Sequence, residues 1–406
     1  MRVLAANKFY YVKGGAERYF FELKRILEER GDEVVPFAMR DERNEPSPYS
    51  DYFVSHEDFE GGGSFFDRMR AAERVVYSLE ARRRLEALID ETRPDMAHLH
   101  NIAHQLSPSI IDGLGSRAVP VVQTLHDYKL VCPGYQMMVE GENCERCRGG
   151  RYYEVVRNRC MRGSTARSLV VCAEAYLHRL LGTYSRGVRL FIAPSRSLRE
   201  RMIAHGVAAD RIVHLPYAIA LSDYAPDYST EGYAVYVGRL STGKGLGTLL
   251  KAAARATDVR IKVVGTGPLE PELRGEVRRL GLDNVEFMGY RTGGELKELF
   301  SKALCVVVPS ECYENSPLTI YEAMALGKAV LGSTMGGIPE LIEEGSTGVV
   351  FQAGDPLDLA ERLAELSRDP EGAVEMGREG RRKIERDYSP ARHYESLMGI
   401  YERARA

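Results

Sequence analysis

Short apolar, β-branched runs alternate with longer amphipathic stretches along most of the chain. The runs have the length of strands and the longer stretches have a helical period, which is typical of βαβ units and mainly parallel sheets. The predicted strands of the first half span residues 2–6, 33–38, 95–99, 119–125, 189–193 and 211–215. Those of the second half span residues 233–237, 259–264, 285–288, 304–308, 329–332 and 348–351. This series predicts an α/β protein with two doubly wound halves.

A polar segment separates the two halves. Residues 220–232, ALSDYAPDYSTEG, contain a proline and a glycine and show neither a helical nor a strand period, which is typical of a linker. We therefore predict one domain over residues 1–217 and a second over residues 218–388. A serine followed by a proline at the start of 389–406 predicts a final helix.

The composition excludes several classes of protein. Of the 406 residues, 44% are hydrophobic and 28% are charged, which is the ordinary range for globular domains and argues against disorder. A formal net charge of -3 argues against a nucleic-acid partner. No apolar run approaches the roughly 18 residues that cross a bilayer, and the opening lacks the longer apolar segment of a signal peptide. The protein is expected to be soluble and cytoplasmic.

A glycine-bearing turn follows the predicted strand at 233–237. Gly238, Arg239 and Lys244 lie between this strand and a helix, which predicts an anion site. The spacing resembles a P-loop, but Gly245 stands where Ser or Thr must bind Mg²⁺, and no later strand ends in an Asp for the metal. Two alternatives remain: a P-loop-like ATPase, and charges that only solvate a loop.

Two glycines, Gly265 and Gly267, follow the next predicted strand. The third glycine of a dinucleotide-binding fingerprint is replaced by Glu270. The pair is equally consistent with a tight turn and with contact to a ligand.

Two glutamates flank the start of a helix in the segment VVPSECYENSPLTIYEAMALGKAV. Glu314 precedes the helix and Glu322 lies within its second turn. Backbone N–H groups near Leu318 and Thr319 would lack intrahelical partners and would favour a phosphate. Carboxylates beside an anion site suit a nucleotide sugar, because its hydroxyls prefer carboxylate acceptors and its diphosphate prefers cations and amides.

These motifs resemble family 4 of the retaining glycosyltransferases, and the resemblance covers nearly the whole chain. The segments that carry it are Glu314-x7-Glu322, Arg239-x4-Lys244, VVGTGPL, VEFMGY and GGIPELIEEGSTGVVF. The resemblance implies the GT-B fold, in which two Rossmann-like domains face a central cleft. It also implies that the domain at 218–388 binds the donor and that the helix at 389–406 crosses back to the acceptor-side domain at 1–217.

The same resemblance implies roles for individual residues. Arg239 and Lys244 would neutralise the donor diphosphate, Glu314 would bind the transferred sugar, and Glu322 would bind the nucleotide ribose. His126, at the end of the strand at 119–125, resembles the family's active-site histidine. The remaining donor-binding positions are Gly14, Gly15, Gly238, Gly265, Gly267, Met288, Tyr290, Asn315, Ser316, Pro317, Leu318 and Thr319. No catalytic metal is expected, because cations and helix amides would supply the charge.

Four of the seven cysteines fall in one insertion of the first domain, residues 130–168. Their spacing is Cys132-x11-Cys144-x2-Cys147-x12-Cys160. A C-x2-C pair with two flanking cysteines is a common pattern of tetrahedral zinc sites, and the insertion has too few apolar residues to build its own core. The sequence therefore predicts a structural zinc, with reduced thiols or a disulfide pair as alternatives. A catalytic zinc is discounted because four thiolates leave no open position.

The same insertion is basic. Its arginines face a single acid, Glu154, over the stretch from residue 146 to 168. These arginines are Arg146, Arg148, Arg151, Arg157, Arg159, Arg162 and Arg167. They indicate either a solvated surface or a site for an anionic acceptor, such as a lipid diphosphate sugar at a membrane.

The sequence as a whole predicts a retaining glycosyltransferase acting in polysaccharide, glycolipid or other cell-envelope glycan synthesis. The expected partners are a nucleotide-sugar donor, an acceptor glycan, lipid-linked sugar or small molecule, and the inner face of the membrane as a peripheral contact. The alternatives are a GT-B isomerase that acts on a nucleotide sugar and, more remotely, the P-loop-like ATPase.

Overall fold

The computed structural model describes residues 1–56 and 65–406. Within them the chain forms two compact units. The first unit comprises Met1–Val139, Cys144–Ala218 and His393–Ala406, and the second comprises Glu140–Asn143 and Ile219–Arg392. The division after Ala218 lies beside the predicted boundary. The predicted insertion differs from this division, because residues 140–143 group with the second unit.

A six-stranded parallel sheet forms the centre of the first unit. The strands up to residue 214 are β1 (Arg2–Ala6), β2 (Glu33–Phe37), β3 (Met96–Leu99), β4 (Val121–Thr124), β5 (Met138–Val139), β6 (Glu142–Asn143), β7 (Leu190–Ala193) and β8 (Ile212–His214). The order in the sheet is β2-β1-β3-β4-β7-β8, and the two-residue strands β5 and β6 lie outside it. Neither of these short strands was predicted, since strands of two residues show no period.

Helices cover the first sheet. They are α1 (Gly15–Glu29), α2 (Phe65–Val76), α3 (Leu79–Thr92), α4 (Ser109–Ser116), α5 (Glu154–Arg157), α6 (Thr165–Leu181), α7 (Thr183–Gly187) and α8 (Arg196–Ala204). Serine caps begin several of them: Ser78 accepts a hydrogen bond from the Ala81 N–H at 3.1 Å, and Ser195 accepts one from the Leu198 N–H at 3.2 Å. Such caps satisfy N–H groups that have no partner inside the helix.

The second unit repeats this architecture. Its strands are β9 (Tyr233–Val237), β10 (Arg260–Val264), β11 (Val285–Gly289), β12 (Ala303–Val308), β13 (Ala329–Ser333) and β14 (Gly348–Phe351). They form a parallel sheet in the order β11-β10-β9-β12-β13-β14. Its helices are α9 (Leu246–Ala253), α10 (Glu270–Leu280), α11 (Gly293–Ser301), α12 (Leu318–Ala325), α13 (Ile338–Leu341), α14 (Pro356–Arg368) and α15 (Pro370–Asp387). All six residues of β12 are buried, as expected for a central strand covered on both faces.

Each sheet changes its winding direction once. In the first unit β1 lies between β2 and β3, and in the second unit β9 lies between β10 and β12. Ligands of open α/β sheets bind beside such a switch point, at the carboxyl ends of the strands. The loops after β1, β9 and β12 are therefore the ones that position a site.

The last helix, α16 (Pro390–Arg405), packs on the first unit. Its Tyr401 hydroxyl lies 2.7 Å from the Nδ1 of His98, and the Tyr394 hydroxyl donates to Asp32 at 2.9 Å. Leu397 and Tyr401 are fully buried. The helix therefore belongs to the core of the first unit, and the predicted crossing back is confirmed. Within residues 1–56 and 65–406, no helix is both long and apolar enough to cross a membrane.

Candidate functional site

Loops of the second unit approach one another closely at the carboxyl edge of its sheet. Gly245 has a φ of +70°, and a Cβ there would lie 1.7 Å from the carbonyl oxygen of Pro309, which follows β12. A Cβ on Gly265 would lie 2.0 Å from the carbonyl oxygen of Gly238. These glycines are required by backbone contact, which supports the tight-turn interpretation of Gly265.

The close approach at Gly245 also argues against the P-loop alternative. A P-loop needs a Ser or Thr hydroxyl at this position to bind Mg²⁺. No side chain fits there without moving the backbone around Pro309. The absence of the hydroxyl is therefore built into the fold of the loop.

Lys244 and Glu314 form an ion pair at this edge. The Lys244 Nζ donates to the Glu314 Oε1 at 2.5 Å, and the Ser310 hydroxyl donates to the same oxygen at 2.7 Å. Burial raises the pKa of Glu314, but Lys244 and the Ser310 hydrogen bond lower it more, so the net shift is downward. Burial lowers the pKa of Lys244, and the Glu314 charge reverses this to a net increase. Both groups are charged at neutral pH.

Backbone contacts fix the loop that carries Glu314. The Gly337 N–H donates to the Glu314 carbonyl at 2.8 Å, and a Cβ on Gly336 would lie 2.2 Å from that carbonyl oxygen. The Glu311 N–H donates to the Gly243 carbonyl at 2.8 Å, which joins this loop to the one after β9. Sequence reasoning missed this role of Gly336 and Gly337, although both lie in a segment that carries the family resemblance.

Arg239 differs from Lys244 in its surroundings. Its side chain is exposed and, in the part of the chain that the structure describes, it forms no ion pair. Arg239 follows β9 after one residue, Gly238, and lies in the same loop as Lys244. Of the two predicted cations, Lys244 thus pairs with the Glu314 carboxylate, whereas Arg239 is exposed to solvent.

Glu322 lies on α12 and is buried. The Tyr224 hydroxyl donates to its Oε1 at 3.2 Å. Helix α12 begins at Leu318 after Pro317, and these two residues are partly exposed at the helix start. The predicted positions Asn315, Ser316, Pro317, Leu318 and Thr319 therefore form one continuous segment beside Glu314.

Met288 and Tyr290 lie at the carboxyl end of the edge strand β11. Tyr290 is exposed, and the neighbouring Gly289 carbonyl accepts a hydrogen bond from the Gly265 N–H at 2.8 Å. Gly267 lies two residues after Gly265 in the same loop. A Cβ on Gly267 would lie 2.3 Å from the Leu240 carbonyl oxygen, so this position also requires glycine. The structure thus brings the predicted second-unit residues together along one sheet edge.

In the first unit, Gly14 and Gly15 begin α1 directly after the loop that follows β1. Gly14 is the residue before the helix, and both glycines are exposed. No side chain caps this helix start. Its N–H groups are thus open to a ligand or to water.

His126 follows β4 and belongs to a chain of hydrogen-bonded rings. Its Nδ1 lies 2.9 Å from the Tyr217 hydroxyl and its Nε2 lies 3.0 Å from the Nδ1 of His100. Burial, with a smaller contribution from Lys8, lowers the pKa of His126 to about 3. The imidazole is therefore neutral across the physiological range.

The chain of rings continues into the interior. His98 stacks on His100 with ring centroids 4.4 Å apart, and its Nε2 lies 2.7 Å from the Thr124 hydroxyl. His98, His100 and His104 cluster in the sequence HLHNIAHQLSP, which suggests residues that line a cleft or cap a helix. For His98 and His100 this prediction is wrong, because both are fully buried and contribute to the core of the first unit.

Acid is expected to unfold the first unit before the second. All nine histidines of the sequence lie in the first unit, and burial lowers the pKa of His98 to about 3 and of His393 to about 4. These groups bind protons near pH 6.5 only after unfolding. Their contribution to the free energy of unfolding is therefore full above pH 6.5 and decreases as the pH falls toward 4.

Hydrogen exchange at pH 7.5 and pH 5 measures this effect. Peptides from β3, β4 and α16 should lose protection at the lower pH, while peptides from β9 and β12 keep theirs. Equal loss in both units, or loss in the second unit first, would contradict the prediction.

Two family profiles match the chain. The profile of Glycosyltransferase Family 4 matches residues 13–223, and that of Glycosyl transferases group 1 matches residues 225–383. Together they match most of each unit, and residues 1–12 and 384–406 lie outside both profiles.

Curated relatives match part of the chain. The alpha-maltose-1-phosphate synthase of Mycobacterium tuberculosis is 35% identical over 187 residues, which are 42% of this chain and 47% of that protein. The sulfoquinovosyl transferase SQD2 of Arabidopsis thaliana is 29% identical over 221 residues, which are 50% of this chain and 42% of that protein. The chain thus spans about half the length of the curated relatives it matches.

Solved structures match over almost the whole chain. The HepE protein of Anabaena in complex with UDP has a TM-score of 0.69 at 16% identity, covering 99% of this chain and 100% of that chain. The sucrose-phosphate synthase of Thermosynechococcus elongatus has a TM-score of 0.71 at 21% identity, covering 99% and 98%. At these identities the likeness shows the fold, and the predicted GT-B fold class is confirmed. Because its profile matches more than half of the residues, the chain belongs to Glycosyltransferase Family 4.

Proposed function

We propose that the protein transfers a sugar from a nucleoside-diphosphate sugar to an acceptor hydroxyl with retention at the anomeric carbon. The observation that carries this proposal is the Lys244–Glu314 pair, a cation and a carboxylate in contact at the switch point of the second sheet. The family membership supports it. So does the HepE relative of similar fold, which was solved with UDP-glucose.

In the proposed reaction, positively charged side chains and backbone N–H groups of this protein stabilise the leaving phosphate. As the bond between the anomeric carbon and the diphosphate breaks, negative charge grows on the leaving phosphate. Lys244, the exposed Arg239 and the N–H groups at the start of α12 would stabilise that charge. The acceptor oxygen bonds to the same face of the anomeric carbon, and its proton passes to the leaving phosphate. Glu314 would hold sugar hydroxyls.

Two further residues, one in each unit, are proposed to bind substrate. Glu322, oriented by Tyr224, would accept hydrogen bonds from the ribose hydroxyls. His126, a neutral imidazole held by Tyr217 and His100, would contact the substrate by exchanging one of these partners for a hydroxyl. A neutral ring fits this role because it can both donate and accept.

A panel of nucleotide sugars with candidate acceptors tests the function. We expect a glycosylated product by mass spectrometry, with the donor's anomeric configuration by NMR. Release of nucleoside diphosphate without transfer would contradict the proposal. An epimerised donor would favour the isomerase, and Mg²⁺-dependent cleavage of ATP would favour the ATPase.

Brief treatment with EDTA is expected to leave turnover unchanged. The reason is that Lys244, Arg239 and helix amides, rather than a divalent ion, are proposed to stabilise the leaving diphosphate. The measurement is the initial rate before and after chelation. Loss of turnover that Mg²⁺ or Mn²⁺ restores would instead identify a metal-dependent transferase.

We propose that the acceptor is an anionic lipid-linked sugar at the inner face of a membrane, reached by a cytoplasmic protein through its first unit. The seven arginines of the insertion are all exposed. Helix α6 exposes Leu169, Tyr176 and Leu180, which share one helix face and are 54%, 40% and 81% exposed. Basic and apolar groups together suit an anionic bilayer surface.

Vesicle flotation tests the membrane contact. The protein should bind vesicles of phosphatidylglycerol and not those of phosphatidylcholine, and Arg159→Glu with Arg167→Glu should weaken binding. The control is Arg255→Glu with Arg278→Glu, which makes the same change of charge in the second unit. Equal effects of both pairs would mean that net charge alone matters, and no binding by the unmodified protein would favour a glycan or small-molecule acceptor.

A further inference from the structure

The four cysteines of the insertion line one pocket inside the first unit. Cys132, Cys144, Cys147 and Cys160 all border it. The side chains of Cys132 and Cys147 lie close enough to influence each other. A Cβ on Gly134 would lie 3.3 Å from the Cβ of Cys160 and 3.9 Å from the Sγ of Cys132, so these two cysteines also meet across one glycine. The fold therefore gathers thiols that are up to 28 positions apart in the sequence.

We propose that this pocket is a structural zinc site with Cys132, Cys144, Cys147 and Cys160 as its ligands. Four thiols form a soft donor set, and zinc binds such sets in a closed tetrahedron. A closed tetrahedron has no position for substrate, so the metal would stabilise the insertion and take no part in transfer.

The surrounding loops fit thiolate ligands. Backbone N–H groups of Gly134 and Met137 lower the pKa of the Cys132 thiol, and the Cys144 N–H donates to the Met137 carbonyl at 2.7 Å. The segment from Cys132 to Cys144 is thus already folded around the pocket. Within residues 1–56 and 65–406, no group of three or more His, Cys, Asp or Glu side chains could hold a metal ion in the arrangement that the structure shows. Binding of zinc therefore requires the four thiols to move closer together.

The folded structure of the insertion depends less on a metal ion than the composition of this segment indicated. Val155, Val171 and Cys172 form a small buried cluster against which Cys160 packs. Val171 and Cys172 lie on helix α6 beyond residue 168, so the insertion packs against this helix and has no separate core of its own. Loss of zinc should loosen the loop from Cys132 to Cys147 without unfolding α5 and α6.

A disulfide accounts for the arrangement less well. A disulfide between Cys132 and Cys147 would leave Cys144 and Cys160 unused in the same pocket. The C-x2-C spacing of Cys144 and Cys147 is the usual knuckle of a metal site. Because the Cys144–Cys147 pair lines the same pocket as Cys132 and Cys160, one zinc ion shared by four thiols is favoured over a single disulfide bond.

Elemental analysis of the protein expressed in zinc-supplemented medium tests the site. We expect about one zinc per chain, which Cys144→Ser and Cys147→Ser abolish. Cys172→Ser is the matched control, because this thiol lies in the adjoining cluster and does not line the pocket. Cys160→His should retain zinc, since histidine is also a tetrahedral zinc ligand. Zinc retained by Cys160→His would also show that a substitution at a ligand position does not by itself unfold the insertion.

Cobalt substitution gives an independent readout. The cobalt protein should show the visible absorption bands of a tetrahedral thiolate site, and Cys144→Ser should lose them. Zinc well below one equivalent, four free thiols that alkylate rapidly in the native protein, or a disulfide that resists alkylation would each overturn the proposal. Zinc lost equally from Cys172→Ser would show that packing, not ligation, retains the metal.

The zinc site should be separable from nucleotide binding. The pocket lies in the first unit, whereas Lys244, Glu314 and Glu322 lie in the second. Cys144→Ser is therefore expected to bind a nucleoside diphosphate like the unmodified protein while proteases cleave the insertion faster. Nucleotide affinity that falls together with protease resistance would contradict a role confined to the insertion.

Discussion

Lys244→Ala is expected to lower kcat by about 10² or more while the fold stays intact. The substitution removes a cation proposed to stabilise the leaving diphosphate, and it leaves Glu314 without the partner that lies 2.5 Å away. Arg239→Ala should act in the same direction. Lys251→Ala is the control, because Lys251 is exposed on the neighbouring helix α9.

The pH dependence of Lys244→Ala sharpens this test. Burial raises the pKa of Glu314, and in the unmodified protein Lys244 and Ser310 overcome that effect. Without Lys244 more of the carboxyl is protonated at neutral pH. Turnover of the variant should therefore increase with pH in a range where that of the unmodified protein is flat. Near-normal turnover, or parallel pH profiles, would contradict the proposed role.

Glu314→Gln and Glu322→Gln are expected to separate kcat from KM. Glu314 lies beside Lys244, the cation proposed to stabilise the leaving diphosphate. Glu314→Gln should therefore lower kcat by about 10², as expected for an electrostatic group in the transition state. Glu322 is proposed to hold the ribose equally in the ground and transition states, so its amide should raise the donor KM by about 10-fold.

Isothermal titration with nucleoside diphosphate and steady-state kinetics measure the two effects. Glu322→Gln should weaken nucleotide binding, and Glu314→Gln should leave it nearly unchanged. The exposed Glu286 on β11 offers a neutral control, Glu286→Gln. If both active-site variants change KM alone, the division of roles between the two glutamates is wrong.

The order of strands along the chain could be predicted, but their neighbours in the sheet could not. Every predicted strand is present, because a buried parallel strand produces a continuous apolar run. Lys244 and Glu314 meet because β9 pairs with β12, in the register of Ala234 with Cys305. That pairing depends on the topology of the whole sheet, and a local pattern does not contain it.

The buried histidines show a second limit. His98 sits in a short strand where a polar residue indicates exposure, yet it is buried because Tyr401 and Thr124 satisfy both ring nitrogens. Tyr401 comes from the last helix, so the signal that makes His98 an interior residue lies far away in the sequence. A sequence pattern that spans a few residues cannot reveal a partner as distant as Tyr401.

The return of α16 makes the first unit discontinuous in the chain, and this has a consequence for the order of synthesis. A ribosome adds about 5–20 residues per second from the amino end, so the entire second unit emerges before the segment that begins at His393. Until then His98 lacks Tyr401, and the hydroxyl of Tyr19 lacks the ring nitrogen that lies 3.1 Å away on His393. The part translated first is thus the last to complete its native contacts, and the second unit is the one that can mature while translation continues.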